Sequence, residues 1–202
     1  MTRRPMSNRE LRYFKRLQER TERLRAMWGD PKVQCYNNED LPAVFVEEQE
    51  ENRSVFLYGP TSRNFLLEFA WRPNAHHLLR TLGYKGWIFV PEPRGMEEPG
   101  DFTDRSYIHE WESKRGDVAT ELAFWIPRNS HELLGLNTNL EFGRIIGLVE
   151  ANVLNKKRVF IGWPETAERM GLPNHYSAVR LGLKRYPTMP ELCRAIAQKT
   201  RG

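Results

Sequence analysis

Glu141 is the residue whose type and surroundings most directly suggest chemistry. It lies near the end of the segment 121–143, ELAFWIPRNSHELLGLNTNLEFG. A carboxylate held at the mouth of a cleft can attack an electrophilic sugar carbon or move a proton. A structural interpretation competes, because Thr138 and Glu141 fit the Thr-x-x-Glu capping box, in which the carboxylate bonds back to the Thr138 amide at the positive end of a helix. The spacing alone leaves both interpretations open.

The elements on either side of Glu141 predict where its side chain lies. Residues 122–126 form a short apolar, aromatic run typical of a buried strand, which Pro127 ends. A polar loop follows, and residues 142–153 then repeat apolar side chains at helical spacing. Ligands bind outside the carboxyl ends of the strands in an open parallel sheet. We therefore expect four side chains to face one crevice: Arg128, Asn137, Asn139 and Glu141.

From residue 54 onward the chain alternates strand and helix patterns. Strands are predicted at 55–58, 87–90, 122–126 and 158–162, and helices are predicted from Pro73 to Gly83, at 107–115, from Thr138, and after the start signal at Thr188. Helical turns are predicted at 167–170 and 175–183. This order predicts a doubly wound α/β fold, flavodoxin-like or Rossmann-like, with helices on both faces of a parallel sheet.

Two strand exits carry further polar groups. Gly59 directly follows the first predicted strand, so a ligand can approach the backbone there, and Arg63 can reach an anion. Prolines flank Glu92 and precede Arg94, and they fix the backbone that presents both side chains. Residues 95–103 form an acidic, glycine-containing loop that we interpret as a lid over the cleft.

Six segments in this order resemble the nucleoside 2-deoxyribosyltransferase-like proteins. They are YGPTSR (58–63), WRPNA (71–75), GWIFVPEPR (86–94), WE (111–112), FWIPR (124–128) and TNLEFG (138–143). The resemblance covers about residues 54–165. It implies that Glu141 lies beneath the C1′ atom of a deoxyribose, stabilises the positive charge that grows there, and traps the sugar covalently.

The resemblance also assigns roles to other positions. It implies that the helix at 107–115 supplies an acidic group to the sugar, for which we favour Glu112 over Glu110. It places Tyr58, Gly59, Pro60 and Arg63 beside the nucleoside. We expect the other strand-exit residues to bind substrate as well: Glu92, Arg94, Arg128, Asn137 and Asn139.

The proton donor for the leaving base is left open by the sequence. The smaller transferases of this fold carry an aspartate six positions before the glutamate, where this chain has Gly135. Glu132, Asp101 or Glu112 can take its place. A second possible activity is hydrolysis of deoxynucleoside 5′-monophosphates, with Arg63, Arg94 or Arg128 holding the phosphate.

The N-terminal region differs from the rest in charge. The chain carries a net charge of +5, and its basic residues crowd the first 25 positions. Leu11, Phe14, Leu17, Leu24 and Trp28 form one apolar stripe, which predicts an amphipathic helix that packs on the core or on a second subunit. The third possible function is that of a non-catalytic protein that uses this basic helix to bind nucleotides or nucleic acid.

The domain prediction follows from this contrast. Residues 1–53 form the basic helix and a connecting region, in which 33–36 and 43–46 could pair as a hairpin, and residues 54–202 form the α/β domain. Cys35 and Cys193 belong to no metal-ligand spacing. We expect no cofactor or metal, a nucleoside or nucleotide and a free nucleobase as ligands, and a homo-oligomer. No bilayer-spanning stretch or secretory signal is apparent, so we expect a cytoplasmic protein.

Overall fold

The computed structural model describes residues 8–35, 53–61, 70–92, 106–131 and 133–199. The helices and strands of these ranges are, in chain order, α1 (Asn8–Gly29), β1 (Val33–Cys35), β2 (Ser54–Tyr58), α2 (Arg72–Thr81), β3 (Trp87–Val90), α3 (Ser106–Val118), β4 (Glu121–Trp125), α4 (Leu136–Glu150), β5 (Val159–Gly162), α5 (Gly171–Asn174), β6 (Arg185–Tyr186) and α6 (Met189–Gln198). A π-helical turn, His175–Arg180, follows α5 directly.

The strands form one parallel sheet. Their order across it is β1-β3-β2-β4-β5-β6, and every neighbouring pair is parallel. The chain leaves β2 toward β3 on one side and then crosses back to β4 on the other. The strand order therefore reverses between β2 and β4, where such sheets bind ligands. The predicted doubly wound α/β fold is confirmed.

Alternating side chains on the strands build a separate core on each face of the sheet. Val55 and Leu57 of β2 join one cluster, to which α1, α2 and α6 contribute, and Phe56 and Tyr58 join the other, to which α3 and α4 contribute. All five residues of β2 and of β4 are buried. Both faces of a parallel sheet must be covered in this way, so the helices lie on both sides.

Strand β1 corrects the predicted hairpin. Val33 pairs with Ile88 and Cys35 with Val90, in parallel register with β3, and all of β1 is buried. The other half of the proposed hairpin, 43–46, lies outside the described residues. A short apolar segment next to an open strand edge buries both of its faces by extending the sheet. The sheet therefore begins before residue 54.

Helix α1 uses only part of its apolar stripe on the core. Leu24 is buried, and Met27, which the stripe did not include, is fully buried with it. Leu11 and Phe14 at the other end are 50% and 53% exposed. The helix therefore packs on the domain through its C-terminal half, while its basic N-terminal half contacts little of the described chain.

The start of α4 argues against the capping-box interpretation of Thr138 and Glu141. The helix begins at Leu136, two residues earlier than Thr138, and no side chain caps it. Gly135 precedes it with a left-handed backbone, φ 63°, which glycine adopts at little cost. A Cβ atom on Gly135 would lie 3.2 Å from that of Pro60. Contact with the β2 turn therefore sets the helix start, and Glu141 lies in its second turn.

The C-terminal region follows the predictions in part. Helix α6 begins where expected, with the Thr188 hydroxyl accepting a hydrogen bond from the Glu191 amide. The expected turn at 175–183 corresponds to the π-helical turn, whereas 167–170 is not helical and β6 was not predicted. In the described ranges, every helix is too short or too polar to cross a bilayer.

Candidate functional site

An open cavity of about 350 Å³ lies at the carboxyl end of β2, between α3 and α4. We call it the carboxylate cavity because two glutamates face each other in it. Its volume falls within the range of small-molecule sites, and it adjoins the point where the strand order reverses. The lining residues are Tyr58, His109, Glu112, Ser113, Asn137, Leu140, Glu141, Arg144 and Ile145.

Helix α3 presents one of the two carboxylates. Glu112 lies one turn beyond His109, whose ring nitrogen Nδ1 is 3.6 Å from the carboxylate. Trp111 points to the core and is 4% exposed, which fixes the rotation of the helix. Glu110 lies on the outer surface, paired with Lys114 at 2.7 Å. Of these two glutamates, Glu112 lines the carboxylate cavity and Glu110 does not.

Helix α4 presents the other carboxylate. Asn137, Glu141 and Arg144 recur at four and three residues, so they share one side of the helix. Phe142 and Ile146 are buried against the sheet and hold that orientation. Because α4 begins before Thr138, Glu141 is not engaged at the helix end and faces the cavity.

Tyr58 forms a rigid wall of the carboxylate cavity. Its ring stacks on Phe56 and Phe124, with centroids 4.0 and 4.6 Å apart. A Cβ atom on Gly116 would lie only 2.1 Å from the Tyr58 hydroxyl, so glycine at 116 leaves room for the ring. Burial, and then the nearby charge of Glu141, raise the pKa of Tyr58, which keeps the phenol protonated.

The pKa values of both carboxyl groups in the cavity are raised. Burial, followed by repulsion from Glu112, raises the pKa of Glu141 to about 8. Burial also raises the pKa of Glu112, against the opposing effect of His109 and Arg72. Ionising both of two neighbouring carboxyl groups in a partly desolvated site costs free energy. Near neutral pH Glu141 therefore keeps its proton in the empty cavity.

Arg72 organises the strand exits behind this cavity. Its fully buried guanidinium donates to the carbonyls of Leu57 and Gly59, at 3.1 and 2.6 Å, and to the Thr61 hydroxyl at 2.9 Å. It also pairs with Glu92 at 2.5 Å. Arg72 thus ties the end of β2 to the end of β3, and its charge partly offsets that of the two glutamates.

Several predicted substrate-binding residues have structural contacts instead. Glu92 is committed to Arg72, and Pro60 accepts a hydrogen bond from the Trp71 indole at 3.0 Å. Gly59 must be glycine, since a Cβ atom would lie 2.2 Å from the Trp125 carbonyl oxygen. None of the three lines the carboxylate cavity. Four residues named in the sequence analysis lie outside the described residues: Arg63, Arg94, Asp101 and Glu132.

The prediction of one crevice for four side chains is wrong. Asn137 and Glu141 line the carboxylate cavity, but Arg128 and Asn139 line a second one of about 580 Å³. Residues 139 and 141 are about 200° apart around an α-helix. Arg128 donates a hydrogen bond to the Asn139 side chain and so lies on the far side of α4. Helical geometry therefore separates residues that are adjacent in sequence.

Sequence reasoning missed three nitrogen-bearing side chains that act in or behind the carboxylate cavity: His109, Arg144 and Arg72. His109 precedes Glu112 by three positions and Arg144 follows Glu141 by three, so helical spacing could have identified both. Arg72 belongs to the quoted WRPNA segment, but no local pattern shows that its side chain is buried. Among the described residues, no group of three or more His, Cys, Asp or Glu side chains is placed to hold a metal ion.

Comparison with known proteins adds no assignment. A scan against models of protein families gives no match for this chain, and a search of curated protein sequences also gives none.

Proposed function

We propose that the protein transfers 2-deoxyribose from one nucleobase to another by breaking and re-forming the N-glycosidic bond of 2′-deoxynucleosides. The observation that carries the proposal is the pairing of Glu141 with Glu112 in one cavity of small-molecule size. A glycosyl transfer with a covalent intermediate needs one ionised carboxylate and one protonated carboxyl group. Burial, followed by repulsion from Glu112, supplies the protonated carboxyl group, because it raises the pKa of Glu141 to about 8.

The first half of the reaction uses both groups. The Glu141 carboxylate oxygen bonds to C1′ while the bond between C1′ and the base nitrogen breaks, and the leaving nitrogen takes the proton of Glu112. In the empty cavity that proton resides mainly on Glu141. Positive charge developing at C1′ lowers the pKa of the nearest carboxyl group, so the proton passes to Glu112 as the reaction begins.

The second half restores the enzyme. A nitrogen of the incoming base attacks C1′, the bond between C1′ and the Glu141 oxygen breaks, and the Glu112 carboxylate takes the proton that this nitrogen loses. The two displacements give a product with the original configuration at C1′. Such an exchange of bases is a nucleotide salvage reaction. It requires no cofactor or metal ion.

Arg144 favours a second candidate activity. Its guanidinium lines the carboxylate cavity and pairs with Asp117 at 2.9 Å. A cation there can hold the 5′-phosphate of a deoxynucleotide, and water in place of the incoming base would make the protein a deoxynucleoside 5′-monophosphate hydrolase. Arg128 cannot take this role from the other side of α4.

A base-exchange assay tests the proposal. Deoxyadenosine is incubated with cytosine and the protein, and formation of deoxycytidine is followed by chromatography. We expect the product with the unmodified protein and its loss in Glu141→Ala. Incubating the Glu141→Ala variant with azide examines the position of the carboxylate, because azide can enter the vacated space and give a deoxyribosyl azide.

Other products would redirect or end the proposal. Free adenine without deoxycytidine, released faster from deoxyadenosine monophosphate than from deoxyadenosine, would favour the hydrolase, and Arg144→Gln should then remove the preference for the phosphate. No cleavage of any glycosidic bond, under conditions in which the protein is folded, would refute both activities.

A further inference from the structure

The second cavity lies on the opposite side of α4 from the two glutamates. It is about 580 Å³ in volume and is bounded by α4, the exit of β4, α5 and the π-helical turn. Arg128 and Arg169 both line it, so we call it the arginine cavity. Apolar groups cover much of the remaining wall, among them Ile146, Leu172 and the ring of Tyr176.

Arg128 is a buried cation without a carboxylate partner in the described ranges. Its side chain is 8% exposed, and its acceptors are neutral oxygens: the Asn139 side chain and, at 3.5 Å, the Arg169 carbonyl. Its Nε atom is buried and has no acceptor among the described residues. Buried charges in proteins are normally paired, so this guanidinium lacks a counter-charge.

Arg169 adds a second positive charge instead of compensating the first. It lies close enough to lower the pKa of Arg128, an effect second to that of burial. Its backbone is left-handed, φ 56°, which is unusual for a residue that is not glycine, asparagine or aspartate. Strained positions of this kind are concentrated at functional sites. Among the described residues of the cavity wall there is one carboxylate, Glu150, and it is ion-paired with Arg180.

Two glycines in α4 keep the cavity open at a cost to the helix. Gly143 and Gly147 both line it, and a Cβ atom on either would meet nothing within 4 Å. Glycine weakens a helix interior relative to alanine, and no described protein atom requires either one. The described chain therefore leaves open space beside both glycines.

We propose that the arginine cavity binds a small organic phosphate with an apolar, planar body. The phosphate lies between Arg128 and Arg169, whose planar guanidinium groups match phosphate oxygens in geometry and charge. The planar part lies over the two glycines and against Tyr176 and Leu172. This site is separate from the carboxylate cavity and does not depend on the proposed deoxyribosyl transfer.

Calorimetric titration with phenyl phosphate tests this proposal, because that probe has a phosphate and a ring but no glycosidic bond. Phenol, benzoate and inorganic phosphate separate the contributions of ring, carboxylate and phosphate. We expect phenyl phosphate to bind more tightly than all three. Arg169→Gln, at an exposed position, should weaken it by roughly 10-fold to 100-fold, the usual effect of losing a charge-assisted hydrogen bond.

Matched variants identify the cavity. Gly147→Leu should abolish binding by filling the space, since a Cβ atom at this position meets nothing within 4 Å. Arg16→Gln removes the same charge from exposed α1 and should leave the affinity unchanged, as should Glu141→Gln in the other cavity. The proposal is overturned if phenyl phosphate fails to bind, if Arg169→Gln and Gly147→Leu bind it normally, or if Glu141→Gln abolishes it. Self-association that Gly147→Leu disrupts, with no phosphate binding, would also overturn it.

Discussion

The cavities on the two sides of α4 each contain a pair of like charges, but the pairs differ in how they can relieve their repulsion. Burial and repulsion from Glu112 raise the pKa of Glu141 to about 8, so this carboxyl group can hold a proton and become neutral. Arg128 and Arg169 cannot do so, because a guanidinium does not lose its proton in the accessible pH range. The carboxylate cavity is therefore already equipped for proton transfer, whereas the arginine cavity is electrostatically incomplete until an anion binds.

The neighbourhoods of the two cavities reinforce this contrast. Buried Arg72 supplies a nearby positive charge to the glutamates and is itself paired with Glu92. Nothing comparable stands beside Arg128 in the described chain. A pair of carboxyl groups whose negative charge is partly offset by a fixed cation suits catalysis, because protons must be taken up and released during the reaction. A pair of arginines with no ion-paired carboxylate in the described chain suits the binding of an anion.

Removing one carboxylate of the carboxylate cavity should have the largest effect on the rate of base exchange. Glu112→Gln takes away the proton donor, so we expect base exchange to slow by about 10²-fold to 10⁴-fold. It also removes the charge that repels Glu141, so the pKa of Glu141 should fall from about 8 toward its ordinary value. Exchange rates measured from pH 5 to 9 would reveal both changes.

The control for that experiment is on the same helix. Glu110→Gln removes an equal charge from the outer surface of α3 and should leave the rate and pH profile unchanged. Equal losses in the two variants would show that helix charge, and not a specific carboxyl group, is what matters. That result would contradict the proposed difference between the two cavities, in which only the carboxylate cavity can take up and release a proton.

Loss of Arg72 should cause the largest fall in stability. Arg72→Ala leaves Glu92 and two strand-end carbonyls without their buried donor, at a cost of about 3–5 kcal/mol in the free energy of unfolding. Urea denaturation measures this cost. Lys114→Ala breaks an exposed pair and should change stability by less than about 1 kcal/mol. A similar small change in Arg72→Ala would contradict the organising role given to Arg72.

The pH dependence of stability sharpens the description of Glu141. In the folded protein the Glu141 carboxyl group keeps its proton up to about pH 8, whereas in the unfolded chain it releases the proton near pH 4.5. The folded state therefore binds more protons between these values, so the free energy of unfolding falls as pH rises. Glu141→Gln should remove that loss and be more stable than the parent at pH 8, by on the order of a few kcal/mol.

Denaturation at pH 5 and pH 8 in parallel provides the measurement. Glu110→Gln, at an exposed position, should retain the parent's pH dependence. Should Glu141→Gln lose as much stability as the parent between the two pH values, some other group titrates there and the description of Glu141 as protonated up to about pH 8 fails.

The smallest predicted effect concerns the glycines of the arginine cavity. Gly147→Ala should stabilise the protein by about 0.5–1 kcal/mol, because alanine favours the helix and its Cβ meets nothing. Gly135→Ala is the contrast at the start of the same helix. There we expect a loss of about 1 kcal/mol or more, since φ is 63° and Pro60 is close. Thermal unfolding of both variants checks the difference in sign.

Local patterns in the sequence predicted much of the architecture. The apolar runs that became β2 to β5 are short and continuous, as strands buried on both faces must be, and they alternate with helical spacing. The same reasoning placed Glu141 and Glu112 on helices near the strand exits. Whether these residues act on a deoxyribose stays a prediction, as do the homo-oligomer, the nucleobase ligand and the cytoplasmic location.

What the sequence by itself determined is therefore the order of β2 to β5 and the helices between them, because each of these elements follows from neighbours a few positions away. Tertiary structure decided which residues meet. Contact between Gly135 and Pro60, which follows β2, sets the residue at which α4 starts. The start fixes the rotation of α4 about its axis, so that Glu141 lines one cavity and Asn139, with Arg128, lines the other. Residues two positions apart on a helix point in nearly opposite directions. Only packing against a distant segment can settle which of them faces a given site.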